Sequence, residues 1–139
     1  MDSSGDRDII ANNSFFYYTD LEAAWSFYTD TLGFETVADH GFAKILRVAS
    51  TSYLTLVDAE SGMEFADAPK TVALALVTDE LDQWWEYLVD EGVPMRGSGY
   101  EPNAGSPHDG FVVVDPEGYY LEFERFNVHP ENERLIPIL

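Results

Sequence analysis

Apolar and polar positions along this chain fall into blocks that switch between a period of two and a period near 3.6. Residues 12–18, Asn-Asn-Ser-Phe-Phe-Tyr-Tyr, are aromatic-rich and read as a strand. Leu21, Ala24, Trp25, Tyr28 and Leu32 then recur at helical spacing, with Asp20 placed to cap the first turn and Gly33 placed to stop the last. This predicts a helix over 21–32. Three short strands follow near 34–38, 42–48 and 52–57. Residues 58–70 hold turn formers and few strand signals and read as a linker. A strand over 71–77 comes next. Thr78 or Asp79 is placed to cap a second helix, which runs to about Glu91 and ends at Gly92. Residues 97–107 are a Gly/Pro/Ser loop, 110–114 a strand and 119–126 its hairpin partner. Between those two strands Asp115-Pro116-Glu117-Gly118 is a type I turn signal, with Asp first, Pro second and Gly last.

The two halves repeat. Thr19, Asp20, Trp25, Tyr28 and Gly33 return as Thr78, Asp79, Trp84, Tyr87 and Gly92, each 59 residues later. Self-similarity at a fixed long period means one supersecondary unit used twice. The expected fold class is therefore α+β: two tandem βαβββ modules, each sheet burying one face on its helix and curving its other face around a shared cleft as a half-barrel. Module one spans about 11–58, the linker 59–70, module two about 71–126 and the tail 127–139, all within a single domain. The tail ends Leu135-Ile136-Pro137-Ile138-Leu139, an apolar stretch suited to packing on the domain or on a partner subunit.

Composition narrows the partners. The chain carries 26 acidic and 7 basic residues, a formal net charge of −19. Nucleic acid and anionic membranes are disfavoured, because phosphate contacts need Lys and Arg. The acids are scattered rather than gathered in a block. That favours a solvated acidic surface over a field steering a cationic ligand, although both readings stand. With no cysteine, disulfides, thiolate metal sites and Cys nucleophiles are excluded. No apolar stretch is long enough to span a bilayer, and the acidic start Met-Asp-Ser-Ser-Gly-Asp-Arg-Asp is unlike a signal peptide. A cytoplasmic location is expected.

Two stretches resemble the vicinal oxygen chelate superfamily, which includes glyoxalase I, bleomycin-resistance and fosfomycin-resistance proteins and extradiol dioxygenases. The segment from Asp20-Leu21 through Phe27-Tyr28 to Leu32-Gly33-Phe34 is similar to the family's D-L-x-x-x-x-x-F-Y-x-x-x-L-G-F helix. The segment Asp115-Pro116-Glu117-Gly118-Tyr119-Tyr120-Leu121-Glu122 is similar to its D-P-x-G-x-x-x-E hairpin. With the repeat, the resemblance covers about residues 12–126. It implies the glyoxalase/bleomycin-resistance fold and a homodimer. In metal-using relatives, two ligands come from each module, one on its first strand and one on its last. Carried over, these positions hold Asn13, Val72 (or Thr71 with a one-residue shift), Thr55 and Glu122. Only Glu122 is a good ligand, so no family-type metal and no other cofactor is expected. His40, at a strand end beside Gly41, His108, in the long loop, and His129, in the tail, share no metal-site spacing.

Strand alternation places Tyr120, Glu122 and Glu124 on one face of the last strand, with Leu121 and Phe123 towards the helix. Glu122 is then the one candidate for a catalytic base, or a carboxylate that pairs a cationic group. Asn13, Phe15 and Tyr17 share a face, as do Tyr53 and Thr55. With Tyr120 and Glu122 they are the expected ligand-binding residues, a mostly aromatic lining suited to a flat, amphipathic or cationic organic molecule. Trp25, Trp84 and Trp85 are assigned to helix packing. Tyr100 and His108 lie on a loop placed to act as a lid. The function expected from these features is binding of a small molecule, as in metal-less bleomycin-resistance proteins. The alternative is a lyase, isomerase or dioxygenase that uses a divalent metal or Glu122 as base. A third reading is a fold retained for protein contact alone.

Overall fold

A computed structural model describes residues 7–62, 65–97 and 99–139. The chain forms two compact units that divide between Pro69 and Lys70, and each is described by itself.

In the first unit, β1 (Asn12–Tyr18), β2 (Glu35–Asp39), β3 (Ala43–Ala49) and β4 (Ser52–Asp58) form one sheet in the order β1-β4-β3-β2. β1 runs parallel to β4 and pairs Asn13 with Tyr53 and Phe15 with Thr55. The other pairs are antiparallel. One sheet face buries Phe16, Tyr18, Leu46, Leu54 and Leu56. The buried stripe of the connecting helix is Leu21, Ala24, Tyr28 and Leu32, the helical spacing read from the sequence. Asp20 caps the helix as expected, its carboxylate accepting the Ala23 N–H at 3.1 Å.

That helix is α-helical only over α1 (Leu21–Ser26) and continues as a π-helical turn, Phe27–Thr31. The Leu32 N–H reaches back five residues to the Phe27 carbonyl at 3.1 Å. Thr29 is part of the cause: its hydroxyl donates to the Trp25 carbonyl at 2.7 Å, competing for the acceptor its own N–H would use in a regular α-helix.

In the second unit, β5 (Ala73–Val77), β6 (Met95–Arg96), β7 (His108–Val114) and β8 (Tyr120–Phe126) form a sheet in the order β5-β8-β7-β6. Leu121 and Phe123 are buried with Phe111 and Val113, while Tyr120, Glu122 and Glu124 are half-buried, as alternation requires. Trp84 packs on Phe123 and Trp85 on Phe111, which agrees with the helix-packing role. The β7–β8 turn forms as read. The Asp115 side chain accepts the Glu117 and Tyr119 N–H groups, and Gly118 takes a φ of +96°, where a side chain would be strained.

The start of the second helix differs from the expectation. Neither Thr78 nor Asp79 caps it: α2 spans Leu81–Asp90, and its cap residue Glu80 makes no side-chain cap bond. The Thr78 hydroxyl instead accepts the Glu80 N–H at 3.0 Å, one turn too early. Glu80 is an extra residue that the first copy lacks between its Asp and Leu, so burial follows a spacing of sixty, not 59. Leu81 and Leu88, sixty residues after Leu21 and Tyr28, are fully buried. Tyr87, the 59-residue counterpart of Tyr28, is 39% exposed. The identities that reveal the duplication are thus not all equivalent positions in the helix.

Candidate functional site

The first unit holds a cavity of about 270 Å³ on the sheet face away from α1. Asn13, Phe15, Tyr17 and Thr55 line it, as alternation along β1 and β4 predicts. The turn between β2 and β3 adds His40 and Phe42. That turn closes through the His40 N–H on the Ala43 carbonyl and the Gly41 N–H on the Asp39 carboxylate. Phe15 is 51% and Phe42 48% exposed, so their rings stand open at the cavity. Deeper in, Thr55 is buried and donates its hydroxyl to the Asn13 Oδ1 at 2.8 Å. The cavity's far wall is Val57 with Ser61 and Gly62. Tyr53, the register partner of Asn13, is half-buried and does not line the cavity. His40 and Phe42 were not expected here; the signal was their place in a tight Asp-His-Gly-Phe turn at the end of the pocket-facing sheet.

Beneath β3, Lys44 is buried yet satisfied. Its ammonium sits 2.8 Å from the Asp39 carboxylate and 4.1 Å from the centre of the Trp25 ring. The Lys44 bond and the Gly41 N–H hold the Asp39 carboxyl below the ordinary aspartate range.

In the second unit the face of β8 away from α2 carries Tyr120, Glu122 and Glu124. Tyr120 is held by Arg96 of β6, whose guanidinium donates to the phenol at 2.8 Å and lies over the ring. His108, expected in the long loop, instead opens β7. Its Nε2 lies 3.4 Å from a Glu122 oxygen and 3.7 Å from a Glu124 oxygen. The signal was available in the hairpin. Counting outward from the Asp115–Gly118 turn pairs Val112 with Glu122, Gly110 with Glu124 and His108 with Phe126, all on one face. Burial pushes the Glu124 carboxyl up, and the neighbouring Glu122 charge adds to the rise, while His108 opposes it.

The long loop is anchored rather than placed as a lid. The buried Asp109 carboxylate accepts the Asn103 N–H at 2.8 Å, the Arg125 guanidinium at 3.0 Å and the Asn127 amide at 3.1 Å. Burial alone would raise the Asp109 pKa; these donors outweigh it and hold the carboxyl low. Asn132 of the tail donates to the Pro107 and Asn127 carbonyls. Tyr100 packs on Trp85 and Phe111 and donates to Asp82, which puts it on the α2 side of the sheet, opposite Glu122.

The four positions the resemblance assigns to a metal do not fit one. Asn13 and Thr55 are a neutral amide and a neutral hydroxyl, and the Thr55 hydroxyl already donates to the Asn13 Oδ1. Val72 offers no donor atom and is half exposed. On β5 the residue paired with Glu122 is Ala75, with Ala73 two residues before it on the same face, so that strand adds no ligand beside the carboxylate.

The sequence profile described as Glyoxalase/Bleomycin resistance protein/Dioxygenase superfamily matches residues 14–123. No curated protein matches the sequence. Among solved structures, a glyoxalase/bleomycin resistance protein/dioxygenase from Nocardioides superposes with a TM-score of 0.71 at 22% identity, covering 88% of this chain and 86% of that one. A member of the same superfamily from Sphaerobacter thermophilus gives 0.69 at 20% identity, covering 85% and 98%. Lactoylglutathione lyase from Agrobacterium tumefaciens gives 0.66 at 22% identity, covering 86% and 95%. At these identities the structures establish the fold. Together with the profile match, they show that the chain belongs to the glyoxalase/bleomycin resistance protein/dioxygenase superfamily.

Proposed function

We propose that this protein binds a small aromatic or cationic organic molecule in the cavity of its first unit, without a metal of the family type. The observation that carries the reading is the lining: two open phenyl rings, Phe15 and Phe42, beside a hydrogen-bonded Asn13–Thr55 pair in about 270 Å³. Aromatic faces bind flat and cationic groups, and an amide–hydroxyl pair orients a polar substituent. The volume suits a ligand of one ring rather than a large drug. We place the protein in the cytoplasm and expect a homodimer; the exposed Ile138 and Leu139 offer it an apolar contact. Among the described residues no helix is long and apolar enough to cross a membrane.

Calorimetric titration with benzylamine, 2-phenylethylamine and benzyl alcohol tests the binding. Saturable 1:1 binding of at least one probe is expected, weakened about tenfold by Phe15→Ala, the scale of one aromatic contact. No saturable binding, or equal binding by the variant, would refute it. The enzyme alternative is favoured by one observation: Glu122, its candidate base, has a polar partner in His108 at 3.4 Å.

A further inference from the structure

We propose that His108, Glu122 and Glu124 bind one divalent first-row transition cation on the open face of the β7–β8 hairpin. This site goes beyond the pocket of the first unit and does not depend on it. It shares only Glu122 with the positions that the family resemblance assigns to a metal, and all three of its ligands come from one hairpin.

Hairpin register brings the groups together. His108, Gly110 and Val112 face Phe126, Glu124 and Glu122 across the ladder. Gly110 is the centre of the arrangement. A Cβ there would lie 3.2 Å from a Glu122 oxygen and 3.5 Å from the Glu124 Cβ, besides 2.8 Å from the Phe123 carbonyl. The missing side chain leaves a hollow that a Glu122 oxygen enters, with the Glu124 Cβ at its edge. One ligand atom from each residue lies within 4.8 Å of the other two. Bonds of 2.0–2.2 Å allow two ligands of one ion to stand up to about 4.2 Å apart. The imidazole–carboxylate separations of 3.4 and 3.7 Å are already inside that limit.

Charge points the same way. Among the described residues no Lys or Arg pairs with either carboxylate; His108 is their one ion-pair partner. A neutral imidazole donating a lone pair leaves two negative charges for a divalent ion to balance. One nitrogen and two carboxylate oxygens suit Mn²⁺, Fe²⁺, Co²⁺ or Zn²⁺ better than Ca²⁺, which takes oxygen ligands, or Cu⁺, which prefers sulfur. His108 and Glu122 are partly exposed, so further coordination positions are open to water or to an anionic oxygen ligand.

The test is Co²⁺ titration of the whole chain after chelator treatment, in about 0.15 M salt to screen diffuse attraction by the acidic surface. One equivalent is expected to bind with visible d–d absorption. His108→Ala, Glu122→Gln and Glu124→Gln are each expected to weaken it by about tenfold or more, while Glu86→Gln, on the exposed side of α2, leaves it unchanged. A second measurement needs no variant: substoichiometric Mn²⁺ should broaden the ring signals of His108 before those of His40 and His129. Absence of a stoichiometric Co²⁺ complex, unchanged affinity in His108→Ala, or equal broadening of all three histidines would overturn the site.

Discussion

Replacing Gly62 by alanine puts a methyl group where the pocket wall leaves no room. The added Cβ would stand 2.8 Å from the Tyr17 ring and 2.8 Å from the Val57 methyl, closer than carbon atoms pack. Tyr17 and Val57 are both buried, so one of them, or the segment bearing Gly62, must move. Overpacking of this kind costs about 1–3 kcal/mol. Gly62 is not among the glycines with positive φ, so alanine fits the backbone and stiffens the unfolded chain, returning about 0.4–1 kcal/mol. The net expectation is a loss of about 1 kcal/mol, read as a lower urea midpoint with an unchanged slope. Val57→Ala removes one of the two clashing groups. The double variant should therefore lose less than the sum of the single losses, by about 0.5 kcal/mol or more. A Gly62→Ala protein as stable as the parent, with additive behaviour alongside Val57→Ala, would mean that residues 61–62 do not form this wall.

Three further substitutions address the two units separately. Leu88→Ala should cost about 2–5 kcal/mol, because Leu88 is fully buried, whereas Tyr87→Ala should cost under about 1 kcal/mol; the reverse order in urea unfolding would restore the 59-residue equivalence of the helices. Asp39 is expected to make wild-type stability depend on acid. Its folded pKa lies below the unfolded value near 3.9, so its contribution is present above that value and is lost as pH falls through the folded pKa. The stability gap between the parent and Asp39→Asn should therefore be present at pH 7 and close below about pH 4; a gap independent of pH would refute the Lys44–Asp39 assignment.

Most of the architecture was legible because local signals and burial agree. The strands β1 to β4, the Asp20 cap and the Asp115–Gly118 turn each rest on residues whose chemistry acts within a few positions. β6 was not legible: Met95–Arg96 is two residues long, too short for any period, and is defined by its ladder to β7. The start of α2 was misread because Thr78-Asp79 copies the first unit's cap while Glu80 shifts the helix by one. The pocket lining followed from alternation for Asn13, Phe15, Tyr17 and Thr55. His40 and Phe42 enter from a turn, where alternation does not apply. His108 was obscured by the Gly/Pro/Ser run before it, although the hairpin count from Gly118 pairs it with Phe126 and so places it on the face that carries Glu122 and Glu124.

The measurement closest to the central claim is an amide and methyl NMR titration of the labelled chain with the tightest of the three aromatic probes. Shifts concentrated at Asn13, Phe15, Phe42 and Thr55, saturating together with one dissociation constant, are predicted. Shifts confined to residues after Pro69, or none at saturating probe, would contradict the assignment of ligand binding to the first unit's cavity.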